Sequence, residues 1–372
     1  MTICDLTKYL EDWAPPGAAW ERDNVGLQVG SQAERLKNIL LCLELDEEVL
    51  KEAIQKNCNL IFTHHPFIFY PIKRLDTEKN QQAQLIEKLF KNNITLYSAH
   101  TNLDFTKEGV SFELAHALRL KNIKFLENEE SNQLKVVIFA PIERVDEISS
   151  SMFIAGAGRI GEYDACSFRL NGEGTFRGSS KSNPAVGKKE HFETVNEVRL
   201  EVLVDSWNLN KVLGAMLKTH PYEEPAYDVY PLKNKNTNYG AGAIGELDVE
   251  MNEKNFLLHV SRSLKIKNFK YSDGRNRKIR KVAVCGGAGA DMLGKAISSC
   301  ADAFITSDIK YHNYHDAKGK ILFIDAGHFE TEIFSMNAVE RKIKKFLEEE
   351  LEDRVKVFKY SGSTNPVKFY KQ

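Results

Sequence analysis

Asn59-Leu60-Ile61-Phe62-Thr63-His64-His65-Pro66 is a short apolar run that delivers two adjacent histidines and then a proline. Asn59 to Phe62 reads as a buried strand that follows a helix-like segment, Asp46 to Lys56. Pro66 has no N–H with which to continue a ladder. The imidazoles are therefore expected at the carboxyl end of that strand, where open α/β sheets place their ligands. Successive strand side chains point to opposite faces, so adjacent histidines chelate a single ion poorly. Each is better suited to one ion of a closely spaced pair, and the stretch predicts both an α/β sheet and a dinuclear metal site at its edge.

Around this run, residues 1 to 125 alternate strand and helix. Asn24 to Gly30, Asn38 to Leu45 and Ile94 to Ala99 read as further strands, and Gln81 to Lys91 as a helix. That alternation argues for a mostly parallel, helix-covered sheet. The polar run Glu127 to Asn132 marks a boundary, and beyond it the pattern changes. Leu134 to Ala140 reads as a strand and Glu143 to Ala155 as a helix, with a hairpin expected from Ala165 to Leu170 and Gly174 to Arg177. Val198 to Asp205 then reads as a strand, Ser206 to Thr219 as a helix and Ala226 to Leu232 as a strand. Apart from the hairpin, this reads as a β-α-β-β-α-β order, the ferredoxin-like one. After the linker Lys233 to Asn238 the α/β pattern returns. Strands are expected at Lys281 to Cys285, Ala303 to Thr306 and Ile321 to Asp325, with a helix from about His328 to Leu347. The expected architecture is an α/β domain built from both chain ends, residues 1–126 and 239–372, with an α+β domain, residues 127–238, inserted between them.

Composition narrows the function classes. Lys+Arg 51 against Asp+Glu 52 leaves no basic excess to recruit nucleic acid. No apolar window approaches the roughly 18 residues needed to span a bilayer. Residues Met1 to Trp13 carry Asp5, Glu11 and Asp12 and no apolar core of signal length, so a cytoplasmic protein is expected. The six cysteines are scattered with no Cys-x-x-Cys and read as free thiols.

Further chemistry-bearing residues fall at strand ends. His100 and Asp104 follow the Ile94 strand. His328 and Glu332 follow the Ile321 strand and, four apart, share one helical face. If the strands are parallel, His64, His65, Asp104, His328 and Glu332 meet at one edge. Three imidazoles with two carboxylates, one of them bridging, is what a two-metal hydrolytic site requires. Nitrogen and oxygen ligands without sulfur favour zinc, manganese or iron and do not choose among them. Taken singly, each histidine also reads as a capping or hydrogen-bonded residue, and Glu332 as an acid favoured by the helix dipole. Gly286-Gly287-Ala288-Gly289 reads either as a tight strand-to-helix turn or as an anion cradle, and Met292 departs from the dinucleotide fingerprint. In Thr306 to His312, Asp308 suits a helix N-cap, with Lys310 and His312 facing the same cavity. His220-Pro221-Tyr222-Glu223-Glu224-Pro225 reads first as a rigid, proline-bounded turn.

The stretches Asp23 to Gly30, Thr63 to Pro66, Ser98 to Asp104, Ser307 to His312 and Gly327 to Glu332 resemble, in this order, the motifs of the NIF-three-like family. That family is also called the GTP cyclohydrolase I type 2 homologues or the dinuclear metal-centre hexameric proteins. The middle unit, with Gly156 to Gly161 and His220 to Pro225, is similar to the CutA/PII-like insert of the longer bacterial members. Arg22 and Ser307 depart from the family pattern without touching a proposed ligand. The resemblance implies two divalent ions per subunit, zinc first with manganese or iron as alternatives. It places them on His64, His65, Asp104, His328 and Glu332, with Glu332 bridging. It also implies a toroidal homohexamer, and a small-molecule substrate of the nucleotide class, GTP above all. On this reading a water acidified by the ions attacks carbon or phosphorus, with His100, Lys310 or His312 moving protons. The alternative is a non-catalytic, metal-binding regulatory hexamer whose PII-like insert binds a ligand. Neither nucleic acid nor membrane is an expected partner.

Overall fold

A computed structural model describes residues 1–128 and 132–370, so residues 129–131 of the polar boundary run lie outside the described residues. The chain divides into two compact units, residues 1–127 with 239–372, and residues 128–238.

The opening histidine run forms the strand Cys58–Thr63, buried along its whole length. Its alternate residues go to opposite faces. Leu60 and Phe62 pack with Ile3, Leu6 and Leu10 of the helix Ile3–Trp13 and with Met336, Val339 and Ile343 of the helix Ser335–Glu349. Ile61 packs instead with Val49, Leu50, Leu85 and Leu89 of the helices Glu47–Gln55 and Gln81–Lys91. Coverage on both faces explains why the run is continuously apolar rather than alternating. Burying each such Leu, Ile or Phe is worth about 1.5–3 kcal/mol. The two latter helices start on side-chain caps, Asp46 accepting from Val49 N–H at 2.8 Å and Asn80 from Ala83 N–H at 3.1 Å.

The single mostly parallel sheet expected from the alternation is replaced by two sheets within the first unit. One runs, in spatial order, Gly26–Val29, Thr95–Ser98, Cys58–Thr63, Asn38–Cys42 and Val357–Lys359. Its last four strands are parallel, and Gly26–Val29 is antiparallel. The other runs Lys270–Ser272, Leu322–Asp325, Ala303–Thr306, Ile279–Val284, Gly240–Met251 and Lys121–Asn128. Its Leu322–Asp325, Ala303–Thr306 and Ile279–Val284 strands are parallel, with antiparallel strands beside them. Each half of the chain thus builds most of one α/β layer, and Lys121–Asn128 of the first half forms the edge of the second sheet. The C-terminal helix and the strand Val357–Lys359 then stitch the second half into the first.

The expected helix from His328 to Leu347 is interrupted. It divides into His328–Glu332 and Ser335–Glu349. Ile333 at the break packs on the core of the first sheet and Phe334 on that of the second, and one straight helix could not serve both.

The second unit has strand Gln133–Pro141, helix Val145–Ile154, strands Ser167–Arg177 and Phe192–Asp205, helix Leu209–Thr219 and strand Tyr227–Pro231. Its sheet order is Ser167–Arg177, Phe192–Asp205, Gln133–Pro141, Tyr227–Pro231, with every neighbour antiparallel. This is the ferredoxin-like arrangement. The hairpin expected between Leu170 and Gly174 is absent. Ser167–Arg177 passes straight through Asn171 and Gly172, paired from Ser167↔Val202 to Arg177↔Phe192. A continuous ladder outweighs the local turn preference of that dipeptide.

Candidate metal centre

His64 and His65 follow the strand Cys58–Thr63, and His100 follows Thr95–Ser98 next to it in the same sheet. Asp104 ends the short helix Thr101–Asp104. His328 and Glu332 arrive from the second sheet, on the helix after Leu322–Asp325. The residues therefore meet between two sheets rather than along one edge.

Glu332 lies at the middle. Its Oε2 is 3.1 Å from His65 Nε2, and its Oε1 is 3.0 Å from His328 Nε2 and 3.8 Å from His64 Nε2. Asp104 Oδ1 is 3.6 Å from His64 Nε2. Ring centroids lie 4.9 Å apart for His64 and His65, 5.3 Å for His65 and His328, and 5.2 and 5.4 Å from His100 to His64 and His65. Two overlapping triplets place their donor atoms within 4.8 Å of one another: His64, His65 and His100, and His65, His328 and Glu332. They share His65.

All four imidazoles have Nδ1 committed outward. Nδ1–H of His64 donates to the Ala99 carbonyl at 2.8 Å and that of His65 to Glu44 at 2.9 Å. His100 donates to Asp23 at 2.9 Å, and His328 to Asp308 at 2.6 Å. Each acceptor fixes the tautomer and leaves Nε2 for the interior, the usual arrangement of metal-ligating histidines. His64 Nε2, Asp104 Oδ1 and Glu332 Oε2 are buried yet have no hydrogen-bond partner. Buried polar atoms left so are costly, and a cation among them satisfies all three. The donor set fits a divalent metal.

The charges agree. Burial opposes ionisation of Glu332, but the facing His328, His64 and His65 rings hold its carboxyl well below the usual range. Burial likewise disfavours a charged His65, yet Glu332 and Glu44 lift it to about 10. Glu332, against burial and with help from Asp308, lifts His328 to about 9. Burial pushes Asp104 up to about 7 although His64 pulls it down. In the bare site, protons supply the positive charge that the carboxylates demand.

The structure departs from several of the sequence expectations. Asp308 is not a helix cap. It sits in the left-handed region at φ 54 and holds His328, while the helix Tyr311–Ala317 begins at Lys310 with no side-chain cap. Lys310 and His312 are exposed, and His312 meets the Tyr311 ring at 5.6 Å; neither is among the residues gathered around Glu332. The glycine turn is a packing turn rather than an anion cradle, because protein hydroxyls take its N–H groups. Gly286 donates to Ser111 at 3.2 Å, Gly287 to Thr331 at 3.0 Å and Gly289 to Thr306 at 2.9 Å. A Cβ on Gly287, at φ +63, would overlap Glu332 Oε1. In the second unit His220 spends both nitrogens on backbone, accepting from Tyr222 N–H and donating to the Phe139 carbonyl, each at 3.1 Å. That is a structural turn.

Sequence reasoning missed Glu44, although it stands as an acid near the end of the Asn38 strand. It also placed His100 as a proton carrier only, whereas the ring stands within ligand reach of His64 and His65. Asp23 is the reason. It accepts from His100 and from Thr101, and these donors hold its carboxyl well below the usual range although burial opposes this.

Known proteins match nearly the whole chain. The family model Duf34/NIF3 (NGG1p interacting factor 3) matches residues 1–366. A GTP cyclohydrolase 1 type 2 homolog of Halalkalibacterium halodurans is 37% identical over 98% of each chain, and one of Bacillus subtilis is 35% identical over 98% of this chain and 97% of its own. The crystal structure of a Bacillus cereus protein related to NIF3 superposes with a TM-score of 0.83 at 36% identity, covering 100% of this chain and 99% of the other.

Proposed function

Because the chain belongs to the Duf34/NIF3 family, whose relatives carry the name GTP cyclohydrolase 1 type 2 homolog, we propose that it is a dinuclear-metal-dependent hydrolase. Its substrate class is a nucleotide such as GTP, or a related cyclic amide or phosphoester. The observation that carries the reading is the convergence of four imidazoles on Glu332 and Asp104, each with Nδ1 already spent, beside three buried atoms that lack partners. His64, His65, Asp104, His328 and Glu332 would hold two divalent cations, zinc first and manganese or iron as alternatives, with Glu332 between them. Such ions, when bound, supply Lewis-acid polarisation and a water acidified toward neutrality. The chain's own groups supply orientation. Glu44, Asp308, Asp23 and the Ala99 carbonyl keep the rings fixed, which removes reorganisation cost when charge develops. His100, held by Asp23, is the proton-moving group inside the site, with Lys310 and His312 as exposed groups outside it.

The test is turnover of metal-loaded protein on a panel of nucleotides and phosphoesters. Activity on at least one member is expected, and it is lost in His65→Ala and Glu332→Ala. Folded, metal-loaded protein that is inert to the whole panel would overturn the reading.

The separate β-α-β-β-α-β unit favours a second reading, a metal-binding regulatory scaffold whose PII-like insert takes a ligand. Stoichiometric metal binding without an exchangeable water position would support it, because catalytic sites keep one position open.

A further inference from the structure

The segment between the histidine strand and the helix Gln81–Lys91 carries several apolar residues and treats them differently. Phe67, Ile68 and Ile72 pack against the core. Phe69 and Tyr70 do not, and remain 37% and 78% exposed. The segment is nonetheless held firmly at this point. Asn24 Nδ2 donates to the Ile68 carbonyl, Gln28 Oε1 accepts from Ile68 N–H at 3.1 Å, and Gln82 Nε2 donates to the Phe67 carbonyl at 2.7 Å. Gln28 Nε2 also donates to the Asn24 main-chain carbonyl at 2.7 Å, so the Gln28 side chain braces the backbone that carries the other clamping residue. The Asp23 to Gly30 stretch thereby has two tasks, since Asp23 orients His100 while Asn24 and Gln28 fix the backbone beside Phe69.

Phe69 is fixed one ring away from the metal centre. Its ring meets His100 edge-on, with centroids 6.5 Å apart and planes at 84°, and meets Tyr70 at 4.9 Å and 85°. His100 in turn stands 5.2 and 5.4 Å from His64 and His65. An aromatic pair denied burial, on a pinned backbone, beside a polar site is suited to receive a flat ring.

We propose that Phe69, flanked by Tyr70, is the stacking platform for a planar heteroaromatic part of the substrate, and so sets specificity at the metal centre. The inference rests on the hydrolase reading for the presence of a substrate there, and it narrows the substrate to molecules that carry such a ring.

The experiment measures binding to the full-length, metal-loaded protein by calorimetry, with GTP and inorganic triphosphate as probes. Wild type is compared with Phe69→Ala and Phe69→Tyr. Stacking of one base predicts about a tenfold or greater loss of GTP affinity in Phe69→Ala. Triphosphate affinity and metal content are expected to be unchanged, and Phe69→Tyr to bind GTP as wild type does. The proposal is overturned if Phe69→Ala binds GTP like wild type, or loses GTP and triphosphate in equal proportion. It is also overturned if wild type binds GTP no better than triphosphate. Turnover of a non-aromatic phosphoester that persists through such a failure would leave the hydrolase reading standing, whereas GTP stacking without any turnover would do the reverse.

Discussion

Glu332 is the residue on which the charges of this protein converge, and two predictions follow from its surroundings. In metal-free protein, His65 at about 10 and His328 at about 9 are raised above the ordinary imidazole value of about 6.5. A raised histidine contributes stability that is complete below its unfolded value and lost as pH rises through the folded one. Asp104, raised to about 7, acts with the same sign at lower pH. The thermal midpoint of chelated protein is therefore expected to fall from about pH 6.5 to 10, followed by scanning fluorimetry. A cation must displace these protons, so zinc titration is expected to release protons, measurable by calorimetry in buffers of differing ionisation enthalpy. A midpoint flat in pH would contradict the charge assignment. Gly287 makes a second case. Its φ of +63, with Glu332 Oε1 standing where a Cβ would go, leaves no room for a side chain. Gly287→Ala should cost about 1–2 kcal/mol from the left-handed backbone alone. It should also lower metal content, read by elemental analysis of purified protein.

At the scale of elements, Thr331 joins two of them. Buried on the helix His328–Glu332, it accepts from Gly287 N–H at 3.0 Å and donates back to the Gly327 and His328 carbonyls at 2.9 Å. Thr331→Val keeps the volume and removes these bonds. A loss of about 1–3 kcal/mol is expected from the stranded Gly287 N–H, measured by denaturant unfolding of the metal-free protein. Weaker metal binding should accompany it, since Thr331 no longer ties the glycine turn to the helix that carries Glu332. The elements themselves were unevenly legible. Cys58–Thr63 is a continuous apolar run closed by histidines and a proline, and Gln81–Lys91 has helical periodicity with clear ends. Gly240–Met251, with its glycines and acids, has neither, and its strand character comes from pairing with Ile279–Val284. The break after Glu332 was equally hidden. Ile333 and Phe334 both suit a helix, and only the presence of two cores pulls them apart.

For the whole molecule, the proposed ligands and the residues that orient their rings around Glu332 all belong to the unit made from both chain ends. The Glu127 carbonyl lies against Gly240, so the chain leaves and re-enters that unit at neighbouring points. Removing residues 128–238 and closing the gap with a short linker is expected to leave a folded protein with the metal stoichiometry of the full chain, checked by elemental analysis. Loss of metal from a folded deletion variant would show that the insert contributes to the centre. We extend the proposal to assembly. Light scattering is expected to return a mass about six times that of the 42.3 kDa chain, as a closed homohexamer requires. Among the described residues no helix is long and apolar enough to cross a membrane.

The sequence alone determined what each strand end carries. A short continuous apolar run and a terminal proline put His64 and His65 at the end of a buried strand, and a spacing of four put His328 and Glu332 on one helical face. Local rules suffice there because the residues concerned are neighbours in the chain. Tertiary structure decided that the proposed ligands meet between two sheets. It also decided that His100 joins them within ligand reach, and that Asp23, Glu44 and Asp308 orient the rings. Those partnerships span 77, 21 and 20 residues. No periodicity encodes contacts at such separations, because each forms only once neighbouring strands have paired and brought their ends side by side.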